Sequence, residues 1–327
     1  MIITSAPFRV SFLGGRSDFS DHFVHHGGAV LGTAIRKYTF VQITPCDRKF
    51  HGSRFKFAYN KIELPDSIDA IQHPLIREAV RLVAAEVDIE MHTFAEVPSG
   101  TGLGSSSSFA VALLQALHAF KYRLAPTREI AEQAIWLERE ILNEHGGHQD
   151  QIFAAYGGFN LIEFGPGNGF CVNRLPLSAA RQAEIEAHCL LLYTNVRRNS
   201  FEVPVRQDVT PEQRTRVLSD MAQQARDGAV YLAGDKPIEG FGELLHEGWL
   251  LKQRVASVSM PLVDEVYERA RELGAIGGKL LGAGQGGFLL LWARPRVQTE
   301  ILNVFGEEMP TMRLEMNARG STIVYNG

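Results

Sequence analysis

The segment VPSGTGLGSSSSFAVALLQAL, residues 97–117, constrains this chain more than any other stretch. Three glycines and four consecutive serines stand directly before an apolar run. In that run Phe109, Leu113, Leu117 and Phe120 mark one face of a helix, with Leu114 beside them. Upstream, IEMHTFAEV alternates as a strand that delivers the chain into the loop. Strand, glycine loop and helix N-terminus together make an anion site, because free backbone N–H groups and the positive end of the helix dipole face the ligand. Glycine permits the left-handed conformations that turn successive N–H groups inward. The loop lacks the Gly-Lys-Ser/Thr ending of the common phosphate loop, but a serine hydroxyl at a helix start can hold Mg²⁺ or bond a phosphate oxygen. A flexible loop that merely begins a helix is the competing reading.

A second glycine cluster, GGKLLGAGQGG, spells GxGxxG at Gly282, Gly284 and Gly287, yet it leads into the strand FLLLWA. A dinucleotide fingerprint must open a helix, so that reading fails on context. Close approach of backbone to the first loop or to a ligand explains these glycines better.

The first ~60 residues read as strands (FRVSFLG, GAVLGTAI, YTFVQITP, RFKFAY), and HPLIREAVRLVAAEV as a helix. Thr127 is expected to cap a helix running through REIAEQAIWLEREIL and ending at NEHGG, with strands GGFNLIEF and HCLLLYT after it. From about 205 long helices dominate, in PEQRTRVLSDMAQQARDGAVYLAG, IEGFGELLHEGWLLKQRVA and PLVDEVYERARELG. The change of character near 175–190 divides the chain into residues 1–180 and 181–327.

The 327 residues are 45% hydrophobic and 21% charged, with a formal charge of -4. That balance gives no reason to expect a nucleic-acid partner. The longest apolar run is far below the roughly 18 residues that cross a membrane. The opening residues lack the layout of a signal peptide, and three cysteines (Cys46, Cys171, Cys189) without a CxxC read as reduced thiols. A cytoplasmic enzyme is expected, and a homodimer is allowed.

Four residues stand out as chemical groups. Arg9 sits inside the apolar strand FRVSF, where a guanidinium needs a partner anion. Asp150, in GGHQDQIFAAYGG, either accepts a proton from a substrate hydroxyl or begins the helix after it. Glu138 and Asp18 are equally compatible with a solvated helix face and a turn. The histidines His22, His25 and His26, and the group Glu144, His145 and His148, show no zinc-type spacing, which argues against a transition metal.

Three segments in order resemble the GHMP kinase superfamily: APFRVSFLGGRSDF its N-terminal substrate motif, PSGTGLGSSSS its P-x-x-x-G-L-G-S-S motif, and KLLGAGQGG its C-terminal glycine motif. Gly14-Gly15, HGGAVLGTAIRKY, EREILNEHGGHQDQ and GAIGGKLLGAG are similar to the D-glycero-D-manno-heptose 7-phosphate kinases and, more distantly, to L-fucokinases and galactokinases, although Arg36 stands where an acidic residue would be expected. The resemblance implies an α+β, two-domain fold, with a ribosomal protein S5 domain 2-like N-terminal domain and a ferredoxin-like C-terminal domain.

It implies ATP and Mg²⁺ as cofactors and the anomeric hydroxyl of heptose 7-phosphate as acceptor. The rival acceptor is L-fucose or another free sugar, and a non-catalytic sugar and ATP sensor is a third reading. Asp150 would be the general base and Arg9 would position the attacking hydroxyl. Pro98, Gly100, Gly102, Leu103, Gly104, Ser105, Ser106, Ser107 and Ser108 would hold ATP. Ser106 and Glu138, the latter twelve positions before Asp150, would hold Mg²⁺. The substrate would meet Gly14, Gly15, Arg16, Ser17, Asp18, Gly282 and Gly284. Arg16, Lys37 and Arg198 are the candidates for the substrate's own phosphate.

Overall fold

The segments GAVLGTAI and YTFVQITP, expected as separate strands, are one continuous strand in the computed structural model, which describes residues 1–196, 206, 208–258, 260–282, 284 and 286–327. Among the described residues the strands form two sheets. The first takes β1 (Ile2–Leu13), β2 (Gly28–Pro45), β3 (Phe55–Ala58), β4 (Ile62–Glu63), β5 (Ile89–Ala95), β6 (Phe159–Phe164) and β7 (Phe170–Arg174). The second takes β8 (Cys189–Tyr193), β9 (Gly277–Leu280), β10 (Phe288–Trp292) and β11 (Thr311–Arg313) in the order β11-β8-β10-β9. That order, all antiparallel with helices after β8 and β10, is the ferredoxin-like arrangement. The final strand, β12 (Thr322–Asn326), crosses the division expected at 180 and pairs with β1.

Helices α1 (Ser20–His26) and α2 (Arg48–His51) are short. One face of the first sheet carries α3 (Pro74–Val83), α4 (Ser105–Phe120), α5 (Thr127–Trp136) and α6 (Gln149–Tyr156). After α7 (Ala179–His188), α8 (Pro211–Ala233) lies against its other face, α9 (Glu239–Val255) packs between α8 and β9 of the second sheet, and α10 (Pro261–Glu272) and α11 (Pro295–Phe305) pack on the second sheet. The alternation of β2 shows why both faces are covered: Val30 enters the core built on α4 and α6, and its neighbours Ala29 and Leu31 enter the core built on α8.

Thr127 is not a cap; Pro126 holds that position and Thr127 is the first helical residue. α5 then runs into a π-helical turn, Leu137–Ile141, in which Leu142 N–H donates to Leu137 O at 2.9 Å. Such turns rotate side chains out of the α-helical register and recur at functional sites. The two sheets share a core. Phe8, Val10 and Phe12 of β1 bury against Phe241 and Trp292, with Phe12 edge-on to Phe241 at 5.8 Å. This joint core fixes the second lobe, made of the second sheet with α9, α10 and α11, against the strand that carries Arg9 in the first lobe, built on the first sheet.

Candidate active site

The glycine loop between β5 and α4 opens onto a cleft of about 940 Å³. Gly100, Gly102 and Gly104 have φ of 79, 83 and 77°, so each uses the left-handed region that glycine alone enters cheaply. Two of them are also fixed by their neighbours. A Cβ on Gly102 would come within 2.7 Å of Leu281 O, and one on Gly104 within 3.2 Å of Asp150 Oδ2. Gly104 precedes α4 and no side chain caps the helix there. The first-turn N–H groups are thus offered to the cleft, the arrangement that binds anions.

Asp150 lies in the first turn of α6 and meets Arg9 from the strand opposite. Arg9 Nε donates to Oδ1 at 2.8 Å and Nη2 to Oδ2 at 2.6 Å. The guanidinium also donates to Gly102 O, and Arg9 N–H donates to Leu103 O at 3.0 Å. The anion demanded by a buried arginine is therefore Asp150, and the pair is tied to the loop.

The π-helical turn brings Glu138 under the start of α4. Its carboxylate is 1% exposed and accepts from Ser106 Oγ at 3.1 Å, from Ser107 Oγ at 2.7 Å and from Gln151 Nε2. Burial pushes the Glu138 carboxyl up, against the pull of Arg139 and of these three donors. A buried carboxylate beside a serine hydroxyl at a helix start open to the cleft fits a magnesium ion, which takes one or two carboxylates and completes its shell with other oxygen ligands and water.

Asp18 is wholly buried and is not on the cleft wall. Its carboxylate accepts from Arg16 N–H at 2.9 Å and Gln149 N–H at 3.1 Å, and its carbonyl from His148 N–H at 3.1 Å. It braces the turn before α1 against the segment that carries Asp150. Burial, and next Asp150 itself, raise its pKa. A Cβ on Gly147 would stand 1.9 Å from Asp18 Oδ2, which explains the second glycine of NEHGG.

Of the other residues singled out in the sequence, Gly15, Arg16, Pro98, Ser105 and Gly282 line the cleft. Leu103, Ser108, Gly14, Ser17, Gly284 and Lys37 do not. Ser108 Oγ donates to Pro7 O at 2.8 Å and Gly104 O at 3.0 Å, fastening α4 to β1. Leu103 is a core residue. Ser17 Oγ donates to Gly14 O at 2.7 Å and Ala29 O at 3.0 Å. Lys37 faces Glu96 at 3.6 Å, and Gly284 approaches Val258. Arg198 lies outside the described residues.

Two buried lysines of the second lobe, Lys252 on α9 and Lys279 on β9, line the cleft and were not foreseen. The signal that singled out Arg9, a cation inside an apolar stretch, is also present in LLKQRVA and GGKLLGAG.

Among the described residues no group of three or more His, Cys, Asp or Glu could hold a metal ion, and no helix is long and apolar enough to cross a membrane.

Residues 74–158 match the family described as GHMP kinases N terminal domain, and residues 229–311 that described as GHMP kinases C terminal. The chain is 26% identical to a D-glycero-alpha-D-manno-heptose 7-phosphate kinase of Campylobacter jejuni, over 94% of each chain. It is 27% identical to the bifunctional fucokinase/GDP-fucose pyrophosphorylase of Arabidopsis thaliana, covering 98% of this chain and 32% of that one. Among solved structures, one titled as a D-glycero-D-manno-heptose 1-phosphate kinase from Bacteroides thetaiotaomicron superposes with a TM-score of 0.80, at 25% identity and full coverage of both chains.

Proposed function

This chain belongs to the GHMP kinase family and is an ATP-dependent sugar kinase, and from that premise we propose that it phosphorylates the anomeric C1 hydroxyl of D-glycero-D-manno-heptose 7-phosphate, giving the 1,7-bisphosphate. The observation that carries the reading is the pairing of Arg9 with Asp150 directly against Gly104 at the start of α4. It sets a proton acceptor beside the helix end that receives a phosphate. The heptose phosphate kinases among the relatives support an acceptor that already bears a phosphate.

Phosphoryl transfer asks little covalent work of the protein, so alignment and charge neutralisation carry it. The N–H groups of the loop and the first turn of α4 bind the nucleotide phosphates. Ser106 and Glu138 would hold Mg²⁺, which would supply neutralisation of phosphate charge. The Arg9 fork fixes the Asp150 carboxylate in one orientation. Asp150 then takes the proton of the C1 hydroxyl, which is more acidic than an ordinary sugar alcohol, as the oxygen attacks the γ-phosphorus and the bond from that phosphorus to the β-phosphate oxygen breaks, releasing ADP. Arg16, held with φ of 80° on the cleft wall, is positioned to meet the acceptor's polar end.

The test is ADP release with heptose 7-phosphate, the unphosphorylated heptose and L-fucose side by side. The 7-phosphate is expected to give the highest kcat/KM. Faster turnover of a free sugar would replace this acceptor with the fucokinase-like one.

A further inference from the structure

Lys279 is a buried cation with no carboxylate in ion-pair range among the described residues. It is 7% exposed, lines the cleft, and donates from Nζ to Phe12 O at 3.0 Å. An ammonium has three donors, and that carbonyl takes one. An isolated buried charge is costly unless a counter-ion is supplied. Burial, then the nearby Arg9 charge, lower its pKa to about 7, and Asp18 opposes them. A second buried ammonium, Lys252, lies on the same wall and donates to Gly282 O at 2.7 Å. Ser11 is 6% exposed and its Oγ has no hydrogen-bond partner. Two residues along β1 from Arg9, it projects from the same face of the strand and also lines the cleft.

The strand measures the distances. At Pro7 to Arg9 it is fastened to α4 and the glycine loop, through Ser108 and Leu103. Arg9 holds Asp150 at the next level. Phe12 lies three residues further, about 10 Å along the strand. Lys279 is thus beyond the Arg9–Asp150 pair as seen from the loop that receives the nucleotide.

We propose that Lys279, with Lys252 and Ser11, forms an anion subsite for the phosphate carried by the acceptor sugar. This rests on the reading of the protein as a sugar phosphate kinase and adds the group that selects a phosphorylated acceptor over a free one. The second lobe supplies the cation, so the acceptor is read by both lobes at once: its reacting hydroxyl by Asp150 and its phosphate by Lys279.

The test compares the full-length wild type with K279M, using heptose 7-phosphate and the free heptose at saturating ATP, together with ATP binding by calorimetry. K279M should raise KM for the 7-phosphate roughly 10- to 100-fold, the loss of a charge-assisted contact. Its KM for the free heptose and its Kd for ATP should stay within about twofold. Its thermal midpoint should be no lower than the wild type's, because a buried unpaired cation has been removed. Equal losses with both acceptors, or a loss of ATP affinity, overturn the subsite and assign Lys279 to packing or to the nucleotide. If the wild type turns over neither sugar, the functional reading fails. The subsite is then judged with inorganic phosphate alone, which the wild type should bind at least about tenfold more tightly than K279M; equal binding overturns it.

Discussion

An arginine that closes two nitrogens of its fork on one carboxylate, as Arg9 does on Asp150, contributes alignment that a lysine would not. Replacing Asp150 by Asn keeps the shape and removes the proposed proton acceptor. The expected result is a fall in kcat of roughly 10²- to 10⁴-fold with ATP affinity unchanged, read by single-turnover kinetics and calorimetry; undiminished kcat would take Asp150 out of that role. Glu138→Gln should abolish the gain in ATP affinity that magnesium brings while leaving metal-free nucleotide binding intact. His148 reports on the brace behind Asp150. Burial against Phe23 and Phe164 lowers its pKa to about 4 from 6.5. The unfolded chain therefore binds a proton that the folded one refuses, and this contribution to stability, present above pH 6.5, is lost as pH falls toward 4. Urea midpoints of His148→Asn should depend less steeply on pH across that window than those of the wild type; parallel slopes would refute the assignment.

At the scale of elements, the stretch from β5 through the glycine loop to α4 was legible because its cues are local: alternation, left-handed glycines, then a helical stripe. Division of labour among the serines was not, since it depends on what each hydroxyl meets across the fold. Ser106 and Ser107 meet Glu138, whereas Ser108 meets Pro7 O. The π-helical turn that delivers Glu138 also has no periodic signature in sequence. β9 was missed for a different reason. GGKL reads as loop, yet Gly277 and Gly278 are required by the backbones of α9 and β10, which lie within 2.2 Å of where a Cβ would stand. In the loop itself, Gly104→Ala would place a methyl 3.2 Å from Asp150 Oδ2 and force an L-residue to φ of 77°. A cost of about 1–2 kcal/mol in stability is expected, with kcat reduced more than KM for ATP. An unchanged kcat would mean the loop and Asp150 are not in register.

Across the whole molecule, the first lobe contributes the loop, Arg9, Glu138 and Asp150, and the second contributes Lys252 and Lys279 to the same cleft. The shared core of Phe8, Val10 and Phe12 with Phe241 and Trp292 holds these groups in one frame. The long helices of the second half were foreseen from their periodicity. The short elements α7, α11, β11 and β12 were not, because each is anchored by partners distant in sequence; β12 pairs with β1 across more than 300 residues. That distance also hid the two cleft lysines, whose place is set by the packing of one lobe on the other. Transfer of phosphate to an anomeric oxygen in this cleft is tested by ³¹P NMR of the product formed from heptose 7-phosphate and ATP. The product should carry a second phosphate signal split by the C1 proton, appearing in step with ADP and lost in Asp150→Asn; ADP released without that signal, or a new phosphate coupled to any other carbon's proton, would rule out transfer to C1.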